Sequence, residues 1–186
     1  MKRFIFLLCW FIPYWVNADS LPQWEVIPTE SNLTFTATQN NAPVTGEFKK
    51  FTAEIFVDPN NYTTSRIRIV VDMNSLSASL ADVTTTLAAP EWFNMTLFPT
   101  AEFKATEFEK TGPDSYKANG TLTIRDKTAP VTLVFTAKEM AKNKGLVEGS
   151  STIKRSTFGV GQGEWASTEE IKDEVVVHFK IAATRK

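Results

Sequence analysis

Few residues in this chain could do acid–base or nucleophilic chemistry. His178 is the only histidine and Cys9 the only cysteine among 186 residues. A serine hydrolase would have to rely on His178, and no Gly-x-Ser-x-Gly elbow is present. His178 also alternates with Val176 and Lys180 on the less apolar side of a strand-like run, as a surface histidine does. Zinc, copper and haem ligand sets cannot be built from one imidazole and one thiol in an N-terminal apolar segment, so only an all-oxygen calcium or magnesium site stays open. Gly159-Val160-Gly161-Gln162-Gly163 invites a phosphate-loop reading, but Glu164 stands where the dinucleotide pattern needs its last glycine and no βαβ unit follows. Those glycines suit a turn of unusual backbone shape. Arg155 beside them would pair with an acidic neighbour or meet a ligand head group. Glu169-Glu170 and Asp173-Glu174 lie in a polar stretch and read as solvating charge, not as a glycosidase pair. What remains is non-covalent chemistry, the burial of apolar surface, and the expectation is a binding protein with no cofactor and no enzymatic activity.

The elements that carry this apolar surface begin after a leader. Lys2 and Arg3 precede an apolar run from Phe4 to Val16, and Val16-Asn17-Ala18 offers small or β-branched residues at the two recognition positions of a signal peptidase site. Residues 1–18 are therefore expected to be a cleaved signal peptide, because the run, broken by Pro13, is shorter than the roughly 20 residues a membrane span needs. Removing 18 of the 186 residues leaves 168, enough for one domain over 19–186 with a sizeable core. The leader holds two of the 20 basic residues and none of the 21 acidic ones, so the remainder carries 18 against 21, about −3. Nothing in that balance favours nucleic acid. The remaining domain also lacks cysteine, so burial alone must stabilise it.

Period-two alternation dominates the domain. Leu33, Phe35 and Ala37 face one way and Thr34, Thr36 and Thr38 the other. Further strands are expected over 51–58, 66–73, 101–105, 116–124, 131–137, 147–155 and 175–184. Residues 76–98 lose the alternation and read as a short helix and loop. Asn119-Gly120 would leave very short hairpin arms, so a glycine-bearing bulge inside one strand is expected there. About eight strands joined by short turns, without βαβ units, suit an all-β, up-and-down antiparallel barrel, with a two-sheet sandwich as the alternative.

Trp24-Glu25-Val26-Ile27, Val44-x-Gly46-x-Phe48-x-x-Phe51, Phe56-x-Asp58-Pro59 and Trp92-Phe93 follow one another in a recognisable order. Phe98-Pro99-x-Ala101-x-Phe103, Gly120-x-Leu122-Thr123-Ile124 and Arg155-x-x-Phe158-Gly159-x-Gly161 complete it. In that order the chain resembles the YceI-like family from about Trp24 to Thr184. The resemblance implies a lipocalin-like barrel, export to the bacterial periplasm and a long internal cavity for a polyisoprenoid lipid, isoprenoid quinones included. Gln39-Asn40-Asn41 and Arg125-Asp126 stand where many members carry a histidine, so any role of those histidines does not transfer.

Periodicity cannot tell a filled barrel from a hollow one. The candidate tunnel residues are Leu33, Phe35, Ile55, Ile67, Ile69, Trp92, Phe93, Phe103, Leu122, Phe135, Phe158, Val177 and Phe179, with Val71, Ile124, Leu133 and Ile153 beside them. Trp92, Phe93 and Phe158 stand at junctions between regular segments and are expected at the mouth. The function expected is that of a periplasmic binding or carrier protein for an isoprenoid lipid or quinone. A membrane cytochrome b561-type protein and a second copy of the chain are the partners considered. The alternative is an envelope stress or interaction protein with a filled core and no lipid.

Overall fold

The computed structural model describes residues 21–141 and 143–186, and the expected leader lies outside them. In chain order the strands are β1 (Gln23–Val26), β2 (Asn32–Gln39), β3 (Ala42–Phe48), β4 (Phe51–Phe56), β5 (Arg66–Asp72), β6 (Leu76–Ala78), β7 (Thr100–Lys110), β8 (Ser115–Ile124), β9 (Lys127–Ala141), β10 (Lys144–Lys154) and β11 (Glu174–Arg185). One helix, α1 (Ala81–Ala88), follows β6.

Antiparallel ladders run β1–β4–β5–β7–β8–β9–β10–β11, and β11 returns to β1, closing a ring of eight strands. Strand β11 pairs with β1 through Trp24↔Arg185 and with β2 through residues such as Phe35↔Val177. β1 and β2 are thus two pieces of one barrel position, separated by a 3-10 turn that starts at Pro28, which lacks a ladder N–H. The same holds for β3 with β4, interrupted at Lys49 and Lys50, and for β5 with β6, interrupted at Met73–Ser75. Each of the eight runs expected from alternation falls on a different one of these barrel positions. The unrecognised pieces are short or break the pattern: β3 contains Pro43 and Gly46, and β6 has three residues. Ring closure sets the sandwich alternative aside.

At the end where β2, β3 and β6 splay away from the ring, α1 and residues 89–99 carry the chain across to β7. Asp82 in the first turn of α1 complements the helix dipole, and Thr84 Oγ1 accepts the Ala78 N–H at 3.0 Å, tying the helix to β6. The helix stops ahead of Pro90, as a following proline requires. Leu87 is buried in a cluster with Met73, Leu76, Trp92, Met95 and Phe158.

Asn119 and Gly120 lie inside β8, as expected, but the bulge is on the neighbouring strand. The register passes from Ala105↔Gly120 to Glu107↔Asn119, leaving Thr106 of β7 as the extra residue. Gly120 permits this close approach: a Cβ there would lie 2.8 Å from Phe103 Cζ, 2.9 Å from the Ala105 Cβ, and closer still to the Lys104 carbonyl. Because the obstacle includes backbone, Gly120→Val is expected to cost about 1–3 kcal/mol through overpacking, measured as a fall in the urea midpoint with an unchanged slope.

Candidate functional site

A cavity of about 570 Å³ runs through the barrel. Its wall is the inward half of the alternation: Leu33 and Phe35 from β2, Ile55 from β4, Ile67, Ile69 and Val71 from β5, Phe103 from β7, Leu122 and Ile124 from β8, Leu133 and Phe135 from β9, Ile153 from β10, and Val177 and Phe179 from β11. Trp92, Phe93 and Phe158 line it from the connecting segments. Leu33, Ile55, Ile67, Ile69, Leu133, Phe135, Val177 and Phe179 all point inward yet are only half-buried, because they border open space, with the Phe135 and Phe179 rings 6.5 Å apart on its wall. A solid interior would have favoured the filled-core alternative, and the interior is hollow.

The two ends differ. At the splayed end Trp92 is 6 % exposed and Phe158 is 1 % exposed, so they close the tunnel instead of ringing a mouth. Their positions at element junctions suggested a rim; instead the segment after β10 folds back across the barrel and buries them. Gly159, Gly161 and Gly163 have φ of 65, 80 and 62°, the left-handed region that glycine tolerates. The Gly161 and Gln162 N–H groups donate to the Glu91 carbonyl at 2.9 and 2.8 Å, fastening this segment to the loop that carries Trp92. Trp92 in turn packs against Trp165, ring centroids 5.7 Å apart.

Arg155 holds that closure from inside. It is 4 % exposed and donates to five carbonyl oxygens: Lys172 (3.3 Å), Val160 (3.0 Å), Gly161 (3.3 Å), Ser167 (2.7 Å) and Ile171 (3.0 Å). Neither an acidic partner nor a ligand head group takes the guanidinium, in contrast to both sequence expectations, since its donors are occupied by backbone. Burial lowers its pKa, and the Asp173 charge opposes that shift. Asp173 instead accepts the Ser156 N–H and hydroxyl, each at 2.9 Å. Burial would raise the Asp173 pKa, but these two bonds and the nearby cations outweigh it and hold the group below its ordinary value of about 3.8. Arg125, at φ 58°, adds a second clamp through the carbonyls of Pro90, Trp92 and Gly159.

The opposite end is the open one. Among the cavity-lining residues described, the exposed ones are Pro59, Lys138, Asn143 and Arg185, and all belong to the turn ends of β4, β9, β10 and β11. Trp24, Tyr62 and Tyr116 stand among them; Trp24 Nε1 donates to the Val57 carbonyl at 3.0 Å, and the two tyrosine rings meet edge-on at 5.7 Å. The sequence reading missed this mouth. Its signal was present in β11, whose inward series Val175, Val177, Phe179, Ile181 and Ala183 ends on Arg185.

His178 lies on the outer face, exposed, opposite Ser150 and Thr34 in the ladders. Among the described residues neither hydroxyl bonds to it, so the serine-hydrolase geometry is not assembled there. Glu169 and Glu170 are exposed in the closing segment.

A family model described as the YceI-like domain matches residues 24–183. The chain belongs to the YceI-like domain family. The crystal structure of BcnA from Burkholderia cenocepacia superimposes with a TM-score of 0.82 at 31% identity, covering 86% of this chain and 100% of that one. A polyisoprenoid binding domain from Saccharophagus degradans, implicated in plant cell wall breakdown, shares the fold with a TM-score of 0.68 at 12% identity, covering 88% of this chain and 98% of that one. A UPF0312 protein of Pseudomonas aeruginosa is 27% identical over 134 residues, 68% of this chain and 69% of the relative. The lipocalin-like YceI barrel expected from the motifs is the fold observed.

Two outcomes follow from the closed end of this YceI-like barrel. Arg155→Met leaves five carbonyls, two of them at buried bonds, without their donor and is expected to cost about 1–3 kcal/mol in chemical denaturation, with Arg155→Lys recovering little because an ammonium has three donors and no fork. Asp173 has a folded pKa below its unfolded one, so its stabilisation is complete above about pH 3.8 and is lost as the pH falls through the folded value. Asp173→Asn is therefore expected to flatten the acid limb of the stability curve, read from urea midpoints across that range.

Proposed function

We propose that this protein binds the tail of a long-chain isoprenoid lipid, polyprenyl or quinone, inside the barrel and carries it through the periplasm after loss of its leader. One observation carries the reading: a cavity of about 570 Å³, walled by apolar inward positions, follows the axis of a closed barrel. Its size falls within the roughly 300–1,000 Å³ of typical ligand sites. The inward run from Val175 to Arg185 spans about 33 Å of strand, or roughly 25 Å along a barrel whose strands tilt by about 40°. That shape suits one extended tail. Each buried methylene contributes about 0.8 kcal/mol, so a few isoprene units offset the ordering of a flexible chain. A wall of exchangeable Ile, Leu, Val and Phe discriminates weakly between tail lengths, each extra methylene counting for about 1–3 kcal/mol.

Membership of the YceI-like family and the polyisoprenoid binding named for the Saccharophagus degradans domain support the same ligand class. Among the described residues the wall offers apolar contact and no assembled catalytic group, which favours a carrier over an enzyme.

Native mass spectrometry of protein taken from its own periplasm without detergent, followed by organic extraction, is expected to release an isoprenoid lipid at near one per chain. A chain that stays bare after incubation with both polyprenyl quinones and polyprenyl phosphates overturns the proposal. In the same assay Ile69→Trp, which fills the middle of the tunnel, is expected to lower occupancy at least tenfold while the protein stays folded.

A further inference from the structure

Among the described residues, the charged ones on the cavity wall are Lys138, Arg155 and Arg185, all cationic, in a chain with more acidic than basic residues. Arg155 and Arg185 end the inward series of neighbouring strands at opposite ends of the tunnel. Arg155 has its donors committed to five carbonyls at the closed end. The cation of the inward series with donors to spare is therefore Arg185, at the mouth; Lys138, next after the inward Ala137, meets the same rim from the outward register.

Their surroundings sharpen the contrast. Lys144 and Lys186 on the same rim are neutralised, by Glu30 at 2.8 Å and by Glu25 at 3.6 Å. Among the described residues, no carboxylate lies within ion-pair distance of Lys138 or Arg185. The Asp58 carboxylate sits in a turn at this end and accepts the Asn60 N–H at 2.9 Å, and it does not line the cavity. A guanidinium at the rim of an apolar tunnel suits an oxyanion, because its planar fork can give two parallel hydrogen bonds and the apolar wall screens the charge poorly.

We propose that the ligand lies tail-inward with an anionic oxyacid head group, phosphate or carboxylate, held at the mouth by Arg185 with Lys138 beside it. This rests on the carrier reading and, within its ligand class, selects polyprenyl oxyacids over the neutral quinones. It also fixes polarity: the tail end meets Trp92 and Phe158, and the head never enters the tunnel.

The test measures binding to the mature chain by titration calorimetry at low salt, using geranylgeranyl monophosphate against geranylgeraniol and palmitate against hexadecanol. The phosphate is expected to bind about tenfold or more tightly than its alcohol, the scale of a charge-assisted hydrogen-bonded contact. The Arg185→Gln, Lys138→Gln double variant is expected to erase that advantage and leave the alcohol's affinity within about twofold. A gain for palmitate as well as the phosphate supports a general oxyanion site, and a gain for the phosphate alone identifies phosphate. Equal binding of phosphate and alcohol, or an advantage that survives in the double variant, overturns the proposal while tail binding stands. If none of the four binds, the carrier reading falls and takes this one with it.

Discussion

Closure of the sheet through β11 is the constraint on which the rest depends. That strand pairs with β10 along one edge and with both β1 and β2 along the other, so the ring has no free edge and its backbone groups are satisfied by neighbouring strands. A sandwich must pack its two inner faces together to stay folded. A closed ring is held by its ladders and can leave its interior open. The cavity is thus a consequence of topology first and of side-chain choice second.

An open interior has a cost, because lining atoms lose the contacts they would make in a solid core. The structure confines that cost to one tunnel. Glycine is found where rings or neighbouring backbone press close: Phe35 lies against Gly46, and Phe179 against Gly149, where a Cβ would sit 2.7 Å from the ring. The closed end is sealed by solid packing of Leu87, Trp92, Met95, Phe158 and Val160, and the segments that bring them together are bound to two arginines through carbonyl oxygens. Arg155 and Arg125 thus act as cross-links between loops, a role that needs many donors on one rigid group.

Most of the fold was legible in the sequence because each barrel position contains at least one stretch of clean alternation, and alternation also names the inward face. The inward set from Leu33 to Phe179 could be picked out on that basis, and the structure brings those residues onto one cavity wall. Whether that wall encloses space could not be read, because a filled and a hollow barrel have the same period. The ends were harder. Trp92 and Phe158 lie outside any repeating pattern, and only the fold of the segment after β10 decides that they plug the tunnel. Arg155 could not be assigned to carbonyls, since backbone acceptors leave no mark in a sequence. Arg185 was overlooked for the opposite reason: it obeys the alternation of β11, but a terminal arginine reads as a solvated tail until the ladder to Trp24 places it at the mouth.

The central claim is that a single apolar tail runs along the barrel axis from the mouth to the plug. A crystal structure of the protein bound to a long-chain amphiphile carrying bromine at its tail terminus tests it directly. One anomalous peak is expected inside the barrel, next to Trp92 and Phe158, with continuous density leading out past Tyr62 and Tyr116 to Arg185. Bromine bound on the outer surface, bromine at the mouth with the chain reversed, or inward side chains closed over the tunnel would contradict it.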